Sequence, residues 1–259
     1  MKNFLRKLPC YKNIRAYYSV VKGTYSNKHD FIDKTFLIKK FFSDLGKYGK
    51  ENTNKNFLFD LNNISSQIYD NTPESQGLDY VYFYQDSWCA EKIFKNKPKH
   101  HYDIGSKAEM VGIISQFIPV TMIDLRPLDV SLPNLKFEKG DILDLPFENN
   151  SIDSLSSICV IEHIGLGRYG DKIDSFGSEK AIEEIKRVLA DKGNLYVSLP
   201  IDEENRVYFN AHRAFTREYI LKLFRPLKLI EEKYIYGKEL SDKYDPEKYF
   251  GTGLFWFKK

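Results

Sequence analysis

Residues 101–124 read HYDIGSKAEMVGIISQFIPVTMID, and the punctuation of that run decides the fold. A short apolar strand carries an acid and breaks at a glycine, as Tyr102-Asp103-Ile104-Gly105-Ser106. A helical stretch follows from Glu109 to Phe117. A second apolar strand, Val120-Thr121-Met122-Ile123-Asp124, closes on another acid. Strand, glycine turn, helix and strand in that order make a βαβ unit. Glycine after the first strand lets a nucleoside approach the backbone closely. Asp124 lies 21 residues after Asp103, where an acid at the tip of a second strand accepts hydrogen bonds from a ribose diol. The alternative role for Asp124 is to cap a turn.

The same alternation continues outward. Strands are predicted at His101–Ile104, Val120–Asp124, Leu135–Lys139, Ser154–Ile161, Gly193–Leu199, Leu227–Tyr236 and Thr252–Lys258. Helices are predicted at Glu109–Phe117, Glu179–Ala190 and Thr216–Phe224, and a lead-in helix over Tyr80–Phe94 turns Tyr84, Trp88, Ala90 and Ile93 inward. The last two strands have no helix between them, so they pair antiparallel. The expected architecture is α/β: a Rossmann-like, mainly parallel sheet with an antiparallel closing strand, helices on both faces, and a mostly helical N-terminal extension. Expected boundaries are 1–56 for that basic extension, 57–98 for a linker strand (Phe57–Asp60) and lead-in helix, and 99–259 for the main domain. Gly46 and Gly49 read as a helix stop, and Asp70-Asn71-Thr72-Pro73 as a turn.

Past the third strand the run Gly140-Asp141-Ile142-Leu143-Asp144-Leu145-Pro146-Phe147 is more specific. Ser151-Ile152-Asp153-Ser154, Ile158-Cys159-Val160-Ile161-Glu162-His163-Ile164, and the segment from Ile182 through Lys192-Gly193 to Leu199-Pro200 continue it. Together these segments resemble class I S-adenosylmethionine-dependent methyltransferases over roughly 100 residues. The resemblance implies S-adenosylmethionine as cofactor, held by Asp103, Gly105, Ser106, Lys107, Asp124, Asp141, Ile142 and Glu162. Within the superfamily, Tyr82 through Trp88, Arg126-Pro127-Leu128, the glycine loop described below and Phe255-Trp256-Phe257 look like a methyltransferase-like group of bacterial surface-glycan clusters and nematodes. That implies a sugar or glycan-precursor acceptor. Lys107 and Glu109 stand where the family's first motif has its second and third glycines. They either restrict the cofactor, recognise it (Lys107 pairing with its carboxylate), or mark a fold that has lost it.

Ile164 to Asp174 forms a loop with three glycines beside Glu162-His163. Arg168, Tyr169 and Asp171 are its candidate substrate contacts, and Asn210, His212 and Arg213 form a second polar cluster. A guanidinium suits a carboxylate or phosphate. Methyl transfer needs alignment and exclusion of water, and a hydroxyl acceptor also needs a base. His163 is the first candidate, Asp171 or His212 the second, with Glu162 orienting the histidine. The competing roles are a glycine-rich surface loop, a capped connection and a strand-capping histidine. No metal-ligand set is evident.

Composition sets outer bounds. The 259 residues carry a net charge of +3, but residues 1–55 hold 13 Lys/Arg against 4 Asp/Glu, so the remainder is net acidic. The basic extension suits a membrane surface or anionic glycolipid, or is a solvated helical face. No apolar run is long enough for a membrane helix, Met1–Lys12 lacks a secretory h-region, and Cys10, Cys89 and Cys159 have no paired spacing. A cytoplasmic location, in part at the inner face of the membrane, follows as the expectation. Nucleic acid is disfavoured because no RNA-binding module is visible, and a nicotinamide dehydrogenase because GxGxxG is absent. The remaining alternative to an enzyme is a cofactor-free scaffold or binding subunit in glycan assembly.

Overall fold

The computed structural model describes residues 31–54, 56, 59–61, 64 and 77–259. The chain divides into two compact units, Met1–Leu78 and Asp79–Lys259. In the first, α1 (Phe31–Glu51) buries Leu37 against Ile38, Phe41, Phe42 and Ile64. The expected stop at Gly46 and Gly49 is not observed: the helix runs through both and ends at Glu51, with Tyr48 edge-on to Phe59. A helix tolerates an interior glycine at a cost of about 1 kcal/mol when its neighbours continue the pattern. The expected turn at 70–73 and most of the basic segment lie outside the described residues, as do Phe57 and Leu58 of the linker strand.

In the second unit the elements are α2 (Tyr80–Asn96), β1 (His101–Ile104), α3 (Ala108–Ile114), β2 (Val120–Asp124), β3 (Leu135–Lys139), β4 (Ile152–Ile158), α4 (Gly177–Val188), β5 (Leu189–Ile201), β6 (Arg206–Tyr208), β7 (His212–Ala214), α5 (Arg217–Leu223), β8 (Lys228–Tyr236), β9 (Glu239–Ser241) and β10 (Gly251–Lys258). The eight-stranded sheet has the order β3-β2-β1-β4-β5-β10-β8-β9. β3 through β5 are parallel, and β10 lies antiparallel between β5 and β8. This is the Rossmann-like sheet with an antiparallel closing strand that the sequence predicts. Two strand boundaries shift most: the fourth ends at Ile158, because Ile161 belongs to a 3-10 turn, Ile161–His163, and the fifth starts at Leu189 rather than Gly193, taking Leu189 and Ala190 from the predicted helix.

Two apolar layers cover the sheet. On one face α4 turns Ala181, Ile182, Ile185 and Val188 into a cluster with Ile123, Leu155, Val197 and Phe255. That i, i+1, i+4, i+7 spacing is a helical stripe. On the other face α2 buries Trp88, Cys89 and Ile93 beside α3 residues Met110, Val111 and Ile114. Asp79 caps α2 by accepting from the Val81 and Tyr82 amides. Glu231 on β8 fixes its far end, accepting from the Trp88 indole and Lys92 ammonium at 2.8 Å each. Tyr84 and Ala90, expected inward, are only half-buried, and Gln85 and Cys89 take the inner positions. The sheet reverses its order between β1 and β4, which opens a crevice at the carboxyl ends of the strands. Among the described residues, no helix is long and apolar enough to cross a membrane.

Candidate active site

The crevice is a cleft lined by Tyr82 of α2, Gly105, Ser106 and Lys107 after β1, Asp124, Leu125 and Arg126 at the end of β2, Ile142 after β3, Cys159, Val160 and His163 after β4, and Tyr169 and Asp171 of the glycine loop. Gly105 sits in the left-handed region at φ +66°, and a Cβ there would lie 3.1 Å from Val160 Cγ1 and 3.8 Å from Asp124 Oδ2. Only glycine takes this bend readily. Asp124 uses Oδ1 to accept from the Arg126 amide at 2.7 Å, and its other oxygen faces the glycine turn. Ile104, Ile123, Leu125 and Ile142 give the cleft an apolar wall beside that carboxylate.

Asp103 does not reach the cleft. It is fully buried under the turn and accepts from the Ser106 amide at 3.0 Å, the Ser106 hydroxyl at 2.7 Å and the Ser156 hydroxyl. Burial pushes its carboxyl up to about 6, against those three bonds. Asp103 therefore shapes the wall that Gly105 presents. Ser106 ties the same turn to β4, accepting from the Ile158 amide at 2.9 Å. Asp141 is likewise outside the lining: it is exposed and accepts from the Leu143 amide at 2.9 Å, which brings the buried Ile142 round to the cleft instead. Lys107 lines the mouth with its ammonium 3.2 Å from the Tyr82 ring centroid, a cation–π contact.

At the opposite wall, His163 donates through Nδ1–H to the Ala211 carbonyl at 2.7 Å. A carbonyl only accepts, so the neutral ring keeps its proton on Nδ1 and its lone pair on Nε2. Burial lowers the imidazole to about 4, so it is neutral at physiological pH. Nε2 lies 3.6 Å from Glu162 Oε1. Glu162 itself is 2% exposed, is outside the lining, and is pushed up to about 8 by burial, so it is a protonated acid near neutrality. Among the described residues its Oε2 has no hydrogen-bond partner.

The glycine loop folds around Asp171. Its Oδ2 accepts from the amides of Gly165 at 2.7 Å and Gly167 at 3.2 Å, and its Oδ1 from Tyr169 at 3.2 Å. Burial, which alone would raise this carboxyl, is outweighed by the three amides, and it lies below its usual range. Gly165 has φ +84°, and a Cβ there would strike the Asp174 carbonyl at 2.1 Å. As a second-choice base Asp171 is thus corrected: its lone pairs organise the loop.

Arg213 is corrected too. Only 7% exposed, it donates to the carbonyls of Ile164 at 2.5 Å and Asp174 at 2.9 Å and to the Ser178 hydroxyl at 3.1 Å. The guanidinium staples loop to helix and leaves no fork for a substrate anion. Asn210 lies exposed in the turn of the β6–β7 hairpin, and His212 packs between Tyr208 and Phe250; neither lines the cleft. The hairpin meets the cleft through the Ala211 carbonyl between them, which accepts from His163 and Arg168.

Ten lining residues lay outside the predicted site, and three of them, Tyr82, Arg126 and Cys159, carry polar or aromatic side chains. Tyr82 and Arg126 arrive from α2 and from the turn after β2. Cys159 lies in the left-handed region at φ +53°, an uncommon place for a non-glycine residue, with Sγ donating to Gln85 Oε1 at 3.1 Å.

A family profile described as "Caenorhabditis protein of unknown function, DUF268" matches residues 146–240. No curated protein sequence matches the chain. Among solved structures, the N-methyltransferase NodS from Bradyrhizobium japonicum WM9 is similar at TM-score 0.52 and 16% identity, over 70% of this chain and 97% of that one. The [4+2]-cyclase SpnF is equally similar at TM-score 0.52 and 14% identity, over 67% and 80%. The chain thus shares the Rossmann-like fold of these structures over the part that they cover. An N-methyltransferase and a cyclase at the same score mean that the fold does not by itself name the reaction.

Proposed function

We propose that this chain is an S-adenosylmethionine-dependent methyltransferase acting on a hydroxyl of a sugar or surface-glycan precursor. The observation that carries the reading is the Asp124 carboxylate at the tip of β2, facing the Gly105 turn beside an apolar wall. The cradle fits a nucleoside: the bare Gly105 keeps the space a Cβ would fill, Asp124 accepts from a ribose diol, and Ile142 and Leu125 cover a base. Bound there, S-adenosylmethionine supplies an electrophilic methyl group on a sulfonium. The protein's own work is then to align the acceptor, exclude water and take one proton. We assign that last step to His163, whose Nδ1–H bond to the Ala211 carbonyl leaves the Nε2 lone pair to accept. The glycan acceptor rests on the resemblance carried by residues 82–88, 126–128, 164–174 and 255–257.

A cofactor-free binding subunit is the second reading. It is favoured by Asp103 and Asp141, which serve the backbone rather than the cleft, and by Lys107, which serves Tyr82. Calorimetric titration with S-adenosylmethionine and S-adenosylhomocysteine separates the two. Micromolar binding that weakens about tenfold or more in Asp124→Ala supports the enzyme. No binding by the folded wild type moves the second reading to first place.

A further inference from the structure

We infer that Arg126 and Arg168, gathered on the Tyr169 ring, bind an oxyanion of the acceptor, a phosphate or a carboxylate. The inference rests on the methyl-transfer reading of the cleft and names the acceptor's class: a hydroxyl compound that also carries an acidic group.

The two guanidiniums come from different elements. Arg126 follows β2 and lines the cleft, Arg168 belongs to the glycine loop outside that lining but next to the lining Tyr169, and their guanidinium carbons lie 5.2 and 5.1 Å from the Tyr169 centroid. Their company distinguishes them. Arg187, Arg206 and Arg217 each clasp a carboxylate, and Arg213 is spent on carbonyls and a hydroxyl. Among the described residues neither Arg126 nor Arg168 has a carboxylate within ion-pair distance; Arg225 shares that lack but not the pairing of two guanidiniums on one ring. The nearby lining carboxylate of Asp171 is already occupied by three amides. Two exposed cations without counter-ions on one aromatic ring form a site that a bidentate oxyanion completes.

Position ties this site to the chemistry. Tyr169 lies edge-on to His163 with centroids 5.5 Å apart. Arg168 Nη1 donates at 2.8 Å to the same Ala211 carbonyl that takes His163 Nδ1–H. An anion held by the arginines is therefore registered against the imidazole from two directions, and the acceptor hydroxyl is placed by the distance between its own anionic group and its reacting oxygen.

The test is calorimetry on the full chain with three probes: inorganic pyrophosphate, glucuronate and neutral glucose. Arg126→Gln, Arg168→Gln and the control Arg225→Gln, an exposed arginine elsewhere, are titrated alongside, with thermal melts to verify folding. One or both anions are expected to bind, glucose is not, and each cleft variant should weaken binding about tenfold. The stronger probe tells phosphate from carboxylate. The inference is overturned when neither anion binds, when glucose binds as well, or when the control loses affinity as much as the cleft variants. S-adenosylhomocysteine titrated into the same wild-type protein keeps the two claims apart. Its failure to bind beside arginine-dependent anion binding removes the methyl-transfer reading and leaves the oxyanion site standing.

Discussion

Replacing Glu162 with glutamine removes one titration while keeping the shape of the side chain. In the folded chain, burial lifts this carboxyl from 4.5 to about 8. The folded protein therefore keeps a proton that the unfolded chain gives up, and stability falls as pH rises between those values. The slope approaches about 1.4 kcal/mol per pH unit. From about pH 5.5 to about pH 7.5, wild type should lose about 2.5 kcal/mol relative to the glutamine variant, in which nothing titrates at this position. Neighbouring groups do not blur the comparison. His163, lowered to about 4, stays neutral across the window, and Asp103 titrates near 6 in both proteins. Urea unfolding followed by tryptophan fluorescence at the two pH values supplies the four free energies. If the wild-type and variant stabilities run parallel, Glu162 is ionised in the fold at neutral pH, and the picture of a buried acid beside a neutral imidazole is wrong.

Two further outcomes follow from the geometry. Gly105→Ala places a Cβ 3.1 Å from Val160 at φ +66° and should cost about 1–2 kcal/mol, read as a lower melting temperature; an unchanged melt would show that the turn relaxes freely. Arg213→Met strips donors from the buried carbonyls of Ile164 and Asp174 and should cost about 2–4 kcal/mol, with faster amide exchange across residues 164–175. A change below about 0.5 kcal/mol would place those carbonyls in water.

What the sequence disclosed depended on how local the cause was. The β1–Gly105 turn and Asp124 were legible because a strand, a glycine and a strand-end acid lie close along the chain. Thr216 was legible as a helix start, and its hydroxyl does accept from the Tyr219 amide at 3.2 Å. The role of Arg213 was not, because nothing local distinguishes a guanidinium that meets a carboxylate from one that meets carbonyls 49 and 39 residues away. Asp103 and Asp141 have the right address in the chain, but which way a strand-end carboxylate turns is decided by the serines and amides packed against it. Tyr82 enters from a helix preceding the first strand, so only tertiary packing brings it to the cleft. The β6–β7 hairpin is three residues per strand, too short for periodicity to register.

The loop drawn around Asp171 has a thermodynamic consequence. With one carboxylate gathering three amides and Arg213 bolting the far end, the residues facing an incoming acceptor have already surrendered their freedom when the chain folds. Little ordering is left for the moment of encounter, so the cleft behaves as a rigid mould. On the methyl-transfer reading, selectivity among acceptors would then come from fit to a fixed outline rather than from adjustment of the loop.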